Sequence, residues 1–182
     1  GMSKIKTELE DIAFGELEPD ARASIIQRLA YLREEGGDVV TRVVDGLRAE
    51  LADASIVAEV SGREKSPYSI WCKMRKKSVS FEQLADIIAF RVVVDDEAAC
   101  YAALGAIHSE HQTVPGRFKD YISTPKANGY QSIHTCVIGP VNQRIELQIR
   151  TKRMHEIGEY GVAAHWAYKR SEEARAAMTD GR

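Results

Sequence analysis

The chain has 182 residues, of which 44% are hydrophobic, and this is enough to build the core of one globular domain. Its 25 basic and 27 acidic side chains give a formal net charge of −2, which argues against binding to nucleic acid or an anionic membrane through overall basicity. The three cysteines, Cys72, Cys100 and Cys136, are far apart and odd in number. They argue against a disulfide framework and a zinc site and favour a reducing cytoplasm. No apolar run is long enough to span a bilayer.

The first third of the chain has helical periodicity. Apolar residues recur at helical spacing in three stretches, at residues 4–14, 19–35 and 38–51. Pro19 suits the first turn of a helix, and the Gly36-Gly37 pair is expected to end the second helix. We therefore predict three helices without a catalytic candidate, and we assign residues 1–53 to an N-terminal helical segment.

A short apolar run and a strongly basic segment follow. Residues 55–60 have the composition of a strand, and Pro67 is expected to start a helix that contains Lys73. From Arg63 to Lys77 there are six cations and one acid, which is a local charge of +5 in a chain of net charge −2. This cluster is compatible with a polyphosphate site and equally with the solvated basic face of a helix.

The second half alternates strands and helices. The predicted elements are a buried strand at 86–94, a helix at 97–111, strands at 132–138 and 144–151 joined as a hairpin, and a closing helix from Thr151 that contains His155, Glu159, His165 and Trp166. Asp86 and Arg91 enter the buried strand, and charged groups there need a partner or a metal. Apolar and polar side chains alternate from residue 144 to 151, which places Glu146 on the polar face of the last strand.

A long polar loop extends from Pro115 to Thr135, with turn signals near both ends. It displays three cations, several hydrogen-bonding groups and one aromatic face, namely Arg117, Lys119, Lys126, Asn128, Gln131, Ser132, His134 and Tyr130. These groups suit a phosphorylated planar ligand such as a nucleotide, and the alternative is a solvated surface loop. Two acids, Asp86 and Glu146, suit a hard divalent cation such as Mg²⁺ that also binds phosphate oxygens.

Five segments resemble a single family. They are Arg63–Met74, Asp86–Arg91, residues 115–135, Glu146–Thr151 and Gly161–Trp166. In this order they are similar to the synthetase domain of RelA/SpoT-type alarmone enzymes. The resemblance implies an α/β (α+β), nucleotidyltransferase-like fold with a mixed, roughly five-stranded sheet flanked by helices. It also implies transfer of pyrophosphate from ATP to the ribose 3′-hydroxyl of GDP or GTP. The products would be AMP and ppGpp or pppGpp, and the cofactor Mg²⁺, with Mn²⁺ as an alternative.

The resemblance assigns roles to residues by matching motif. Catalytic roles fall to Glu146, as the base for the 3′-hydroxyl, and to Asp86, Lys119 and Arg117, with Asp86 and Glu146 as the metal ligands. ATP would contact Arg63 and Arg91, which sandwich the adenine, and Lys65 and Lys73. GDP or GTP would contact Tyr130, which stacks on guanine, and Lys126, Asn128, His134 and Gln148. Strict alternation puts Asp86 and Arg91 on opposite strand faces, so we expect Asp86 to precede the regular strand.

The motif from Arg117 to Asp120 matches the basic form typical of bifunctional synthetase-hydrolases. The simplest interpretation is a synthetase domain at residues 54–170, with a tail at 171–182, from a long cytoplasmic protein. A small stand-alone synthetase is the alternative. No hydrolase motif is present in this sequence, so no hydrolase activity is expected of it. The partners implied for a full-length protein are hydrolase and regulatory domains and the ribosome, with no membrane; the oligomeric state stays open.

Other classes of function are compatible with parts of the sequence. A catalytically silent nucleotide sensor would share the fold, but all the matching acids and cations are present. An RNA-binding module would use the +5 segment, and the net charge of −2 argues against it. A metalloprotease is excluded because the segment His155–Glu159 lacks the second histidine of a His-Glu-x-x-His motif.

Overall fold

The computed structural model describes residues 2–84, 87–139, 142 and 144–161. Within these ranges the elements are α1 (Met2–Leu17), α2 (Pro19–Asp53), β1 (Glu59–Glu64), α3 (Pro67–Lys77), a 3-10 turn (Phe81–Gln83), β2 (Ile88–Val94), α4 (Glu97–Glu110), β3 (Lys119–Asp120), β4 (Ile133–Ile138), β5 (Arg144–Thr151) and α5 (Lys152–Tyr160). Asp86, His165, Trp166 and the tail at 171–182 lie outside the described residues.

The five strands form one mixed sheet in the order β1-β2-β5-β4-β3. β2 and β5 are parallel neighbours, and the other three pairs are antiparallel. The predicted mixed five-stranded sheet is therefore confirmed. The strand predicted at 86–94 is present as β2, which begins later, at Ile88, and it lies in the interior of the sheet as predicted, because it has a hydrogen-bonded neighbour on each side.

The main core lies on one face of the sheet. It joins strand residues such as Val92 and Leu147, both fully buried, to α2 and α4, with Leu51 and Ile107 at its centre. Complete burial of one such side chain stabilises the fold by roughly 1.5–3 kcal/mol. Since the two helices cover this face, most polar side chains of the strands point to the opposite, open face of the sheet; Thr135, which contacts His108 of α4, is an exception.

A second apolar cluster holds α3 in place. Phe14 of α1 packs against Trp71 of α3, with ring centroids 5.1 Å apart, and Ile25 and Leu29 of α2 complete the contact with the fully buried Ile70. The basic segment after β1 is thereby anchored through its apolar side chains, and the prediction that Pro67 starts a helix containing Lys73 is confirmed.

The prediction that Gly36-Gly37 ends a helix is wrong, because α2 runs without interruption from Pro19 to Asp53. Two glycines in a helix cost about 2 kcal/mol relative to alanine. The half of α2 before the glycines buries Ile25 and Leu29 in the second cluster, and the half after them buries Leu47 in the main core. Burial of several such side chains outweighs the cost of the glycine pair.

The first strand lies further along the chain than predicted. Residues 55–58 form a connection, in which Ser55 has a left-handed backbone (φ 59°), and β1 begins at Glu59. The reason is the pairing with β2, which extends to Glu64 and which composition does not reveal. Gly62 is required on the core side of β1, because a Cβ there would lie 2.8 Å from a methyl group of Val40 on α2. Arg63 is thus a strand residue.

Three further elements differ in detail from the predictions. The segment from Pro115 to Thr135, predicted as a loop, includes the short β3, which pairs with β4. The predicted closing helix does not continue past Tyr160, since Gly161 has φ 76°. The predicted helix at 97–111 and strand at 144–151 are confirmed, apart from one residue at the end of α4. Within the described ranges, we find no helix long and apolar enough to cross a membrane.

Candidate active site

Strand pairing aligns the polar side chains in two rows on the open face of the sheet. In the first row Glu146 pairs with Cys136 on one side and with Ala89 on the other, and Ala89 pairs with Arg63. Glu146 and Arg63 are therefore two strand spacings apart, which is roughly 10 Å. The second row contains four predicted ligand-binding residues from four strands, namely Arg91, Gln148, His134 and Lys119.

Glu146 is held by an ion pair with Lys65. The Lys65 Nζ donates a hydrogen bond of 2.7 Å to Oε2 of Glu146, and about three quarters of each side chain is buried. Burial acts to raise the pKa of Glu146, but the hydrogen bond from Lys65 and the charges of Lys65 and Lys73 outweigh it and lower the pKa. The carboxylate is consequently ionised at neutral pH and able to accept a proton or bind a cation.

Lys73 adds a second cation beside this carboxylate. It lies on α3, and burial, followed by the charge of Lys65, lowers its pKa to about 8. Glu146 acts in the opposite direction but does not compensate for these effects. Two ammonium groups next to one carboxylate leave an excess of positive charge, and such an excess favours an anionic ligand such as phosphate.

A pocket of about 210 Å³ lies at the side of Glu146. Its lining residues are mostly charged or polar: Gly116, Arg117, Lys119, His134, Cys136, Arg144 and Glu146. Three cations and one carboxylate give this pocket an excess of positive charge. A larger cavity of about 660 Å³ lies between α2 and the sheet, and its described lining includes none of the predicted site residues.

The polar loop is ordered by its own side chains. The Tyr130 hydroxyl and the His134 Nε2 are 2.8 Å apart, and the Lys126 Nζ lies 4.6 Å from the ring centroid of Tyr121 and 5.2 Å from that of Tyr130. The Asn128 side chain accepts a hydrogen bond of 3.1 Å from the Tyr130 backbone N–H, and this closes an Asx turn. Burial lowers the pKa of His134, which favours the neutral imidazole.

A cluster of arginines lies next to this loop. The Arg91 Nη2 donates a hydrogen bond of 3.2 Å to Oε1 of Glu159, and the Arg150 Nη2 lies 3.8 Å from the same oxygen. Arg150 is only 3% exposed. Burial lowers the pKa of Arg91, and the charge of nearby Arg63 contributes in the same direction. The three guanidiniums are therefore neighbours, with Glu159 as a shared counter-ion for two of them.

The sequence comparison decides the family. Residues 62–173 match the family model described as a region found in RelA / SpoT proteins. The chain belongs to this family. Nucleotide chemistry of the kind that this family implies typically requires a divalent metal.

Relatives of known name are longer than this RelA/SpoT chain. It is 52% identical over 169 residues to the GTP pyrophosphokinase rsh of Brucella melitensis, a match that covers 93% of this chain and 22% of that protein. It is 46% identical over 179 residues to the GTP pyrophosphokinase of Escherichia coli, with 98% and 24% covered. The chain therefore spans about a fifth of the length of these curated relatives.

The fold is shared with a solved alarmone synthetase. The small alarmone synthetase 1 of Bacillus subtilis, solved bound to its product pppGpp, superimposes with a TM-score of 0.56 and 22% identity. The alignment covers 84% of this chain and 98% of that one. The predicted fold class is thereby confirmed.

Those predicted site residues of the RelA/SpoT chain that the structure describes lie close together on the open face of the sheet. Glu146, Lys65 and Lys73 form one group, Arg117 and Lys119 line the adjoining pocket, and the loop residues Lys126, Asn128, Tyr130 and His134 form a second group. Asp86 is outside the described residues, but β2 begins at Ile88, as expected if Asp86 precedes the regular strand.

Sequence reasoning assigned no role to three residues of this RelA/SpoT site. They are Arg150, Glu159 and Arg144. Arg144 and Arg150 lie an even number of positions from Glu146 along β5. Strand periodicity therefore places all three side chains on the same face and could have identified the two arginines. Glu159 contacts a residue 68 positions away, and no local pattern in the sequence indicates this contact.

Proposed function

We propose that this chain transfers pyrophosphate from ATP to the ribose 3′-hydroxyl of GDP or GTP, giving AMP and ppGpp or pppGpp. One observation carries the proposal: an ionised carboxylate, Glu146, lies between two lysines of the α3 region and a cationic pocket. This arrangement combines a proton acceptor with two sets of phosphate-binding cations, as transfer between two nucleotides requires.

In this proposal ATP binds over β1, β2 and α3. Arg63 and Arg91 contact the adenine from opposite sides, since guanidinium planes stack well on aromatic rings. Lys65 and Lys73 bind the phosphates, and their charge stabilises the negative charge that moves onto the departing AMP. When Lys65 binds a phosphate, its hydrogen bond to Glu146 is exchanged, and the carboxylate becomes available to the acceptor.

The acceptor nucleotide binds over β4 and the polar loop. Tyr130 stacks on the guanine, and Lys126, Asn128, His134 and Gln148 surround the nucleotide. The ribose 3′-oxygen attacks the β-phosphorus of ATP, and the bond between that phosphorus and the oxygen bridging to the α-phosphate breaks. Glu146 takes the proton of the 3′-hydroxyl, and AMP leaves with the bridging oxygen. Lys119 and Arg117 neutralise charge on the transferred group.

A divalent metal fits the acids of this site. Glu146 offers a hard, ionised oxygen ligand, and Asp86 lies three positions before Ala89, which pairs directly with Glu146. We propose that Asp86 and Glu146 bind Mg²⁺, or alternatively Mn²⁺, with phosphate oxygens and water as the other ligands. When bound, the metal neutralises charge on the phosphates. The chain's own contribution is the Glu146 carboxylate on β5, with Asp86 in the sequence just before the start of β2.

The known relatives support this assignment. The Brucella melitensis and Escherichia coli proteins are named GTP pyrophosphokinases, and the Bacillus subtilis enzyme was solved with pppGpp as its product. We further propose that residues 54–170 act as the synthetase domain of a longer cytoplasmic protein. Its hydrolase and regulatory domains and the ribosome would then be partners of the full-length molecule.

Product analysis tests the proposal. The chain is incubated with ATP, GDP and Mg²⁺, and the nucleotides are separated by anion-exchange chromatography. We expect AMP and ppGpp to form in equal amounts, and pppGpp when GTP replaces GDP. Binding of both nucleotides without any product would favour the catalytically silent sensor instead. Release of ADP or free pyrophosphate in place of ppGpp would contradict the proposed reaction.

A further inference from the structure

One carboxylate on α5 contacts guanidiniums from two neighbouring strands. Oε1 of Glu159 accepts a hydrogen bond of 3.2 Å from Arg91 on β2, and the Nη2 of Arg150 on β5 is 3.8 Å away from the same oxygen. The Glu159 side chain is 36% exposed, whereas Arg91 is 15% and Arg150 3% exposed. Glu159 therefore lies on the solvent side of one buried cation, Arg150, and one largely buried cation, Arg91.

The position of Glu159 is set by close packing of α5 on Arg150. A Cβ at the preceding residue, Gly158, would lie 2.7 Å from Nη1 of Arg150 and 3.7 Å from the ring of Tyr130. The absence of a side chain at residue 158 allows the helix to approach the arginine this closely. Because Arg150 is enclosed, this contact fixes the distance between the sheet and the helix backbone from which the Glu159 side chain extends.

Arg91 needs such a partner to keep its orientation. An arginine side chain is flexible, and a guanidinium that stacks on a flat ring must have its plane fixed. The Nε of Arg91 is buried and has no hydrogen-bond partner within the described ranges, so this nitrogen does not fix the plane. The bond from Nη2 to Glu159 is the contact that restricts rotation of the group.

We propose that Glu159 is a positioning residue for the donor nucleotide: it holds the guanidinium of Arg91 in the plane that stacks on the adenine ring. The ion pair with Arg150 helps to hold Glu159 in place. This inference rests on the proposed function, because it takes Arg91 as a contact of the ATP base. Glu159 itself need not touch either nucleotide, and its effect on ATP passes through Arg91.

A double-mutant cycle tests the inference. ATP affinity is measured by titration calorimetry, with Mg²⁺ and without acceptor, for the wild type, Glu159→Gln, Arg91→Ala and the double variant. We expect Glu159→Gln to weaken ATP binding about tenfold in the wild type and less than about twofold when Arg91 is already alanine, since contacting residues couple in this range. GDP affinity, measured on the same proteins, should stay unchanged.

The matched control is Glu156→Gln. Glu156 lies on the same helix, is exposed, and loses the same charge on substitution, so it reports any general electrostatic effect on ATP. We expect no change in ATP affinity from this variant. If Glu159→Gln unfolds below the assay temperature, Glu159→Asp replaces it in the cycle, because the shorter side chain keeps the charge and loses the contact.

Equal losses of ATP affinity in both backgrounds, or no loss at all, would overturn the positioning role. Turnover of the wild type is measured separately, which keeps the two proposals apart. If ppGpp forms but the losses of ATP affinity are additive, the positioning role of Glu159 is refuted and the proposed reaction is not. Coupling between Glu159 and Arg91 in a wild-type chain that forms no ppGpp would refute the proposed reaction and leave the positioning role intact.

Discussion

Lys65 and Glu146, which are 81 positions apart in the chain, form a hydrogen-bonded ion pair of 2.7 Å across the open face of the sheet. The pair joins the segment after β1 to the first half of β5. It keeps the pKa of Glu146 below its ordinary value despite burial, so the carboxylate is ionised throughout the neutral range. A phosphate that attracts Lys65 would free the same carboxylate.

ATP affinity should fall at alkaline pH, because Lys73 loses its charge there. Burial and the charge of Lys65 lower its pKa to about 8, so the ammonium is charged below that pH and becomes neutral as the pH rises through it. We expect ATP affinity to fall between about pH 7 and about pH 9.5, whereas Lys73→Arg, which stays protonated, should be nearly insensitive. Calorimetric titrations across this range provide the measurement. The same decline in both proteins would mean that another group titrates.

Tyr130→Ala should weaken GDP binding far more than ATP binding. A base stacked on an aromatic ring contributes about 1–3 kcal/mol by alanine substitution. Tyr130→Phe is the matched control, because it removes the hydroxyl that lies 2.8 Å from His134 and keeps the ring. Titration calorimetry should show nearly full GDP affinity for the phenylalanine variant. Parallel losses for GDP and ATP in the alanine variant would remove the ring from acceptor recognition.

Asp86 and Lys119 should affect the metal dependence in different ways. Asp86→Asn removes a charged oxygen ligand, and we expect the Mg²⁺ concentration for half-maximal rate to rise at least about tenfold. Lys119→Ala should leave that concentration unchanged and lower the maximal rate by ~10²–10³, as is usual when one electrostatic contact to the transition state is lost. Initial rates over a Mg²⁺ titration separate the two effects. An unchanged Mg²⁺ requirement in Asp86→Asn would exclude this residue as a ligand.

Gly158→Ala should destabilise the fold. The new Cβ would lie 2.7 Å from the enclosed Arg150, and overpacking of this kind costs about 1–3 kcal/mol, which exceeds the ~0.5–1 kcal/mol gained by replacing a helical glycine. Gly46→Ala is the control, since no atom lies within 4 Å of its Cβ, and it should stabilise α2. Urea denaturation of both variants tests this. A gain in stability at Gly158 would show that Arg150 moves aside freely.

Periodicity within the sequence was sufficient for β5 and, to within two residues, for β2 and β4, but not for β1 and β3, which also carry site residues. The alternation along β5 placed Glu146 and Gln148 on the polar face, and the structure has them there. The motifs of the resemblance located the cations of the +5 segment and of the loop. These features are local, so neighbouring residues contain the information.

The wrong or missing predictions depend on distant contacts. Gly36-Gly37 has low helix propensity, but α2 stays continuous because apolar side chains before and after the pair are buried in the two clusters. The start of β1 depends on its pairing with β2. The Arg91–Glu159 contact needs α5 to fold back over the sheet, and no spacing rule within one element predicts it.

The rate of ppGpp formation by Glu146→Gln tests the central claim most directly. Glutamine keeps the size of the side chain and cannot accept the 3′-hydroxyl proton, and loss of a general base usually costs ~10²–10⁴ in rate. ATP affinity, measured by calorimetry on the same protein, shows whether the donor site is intact. We predict a rate at least about a hundredfold below the wild type with ATP still bound. A variant that binds ATP and retains more than about a tenth of the wild-type rate would contradict the role of Glu146 as the base.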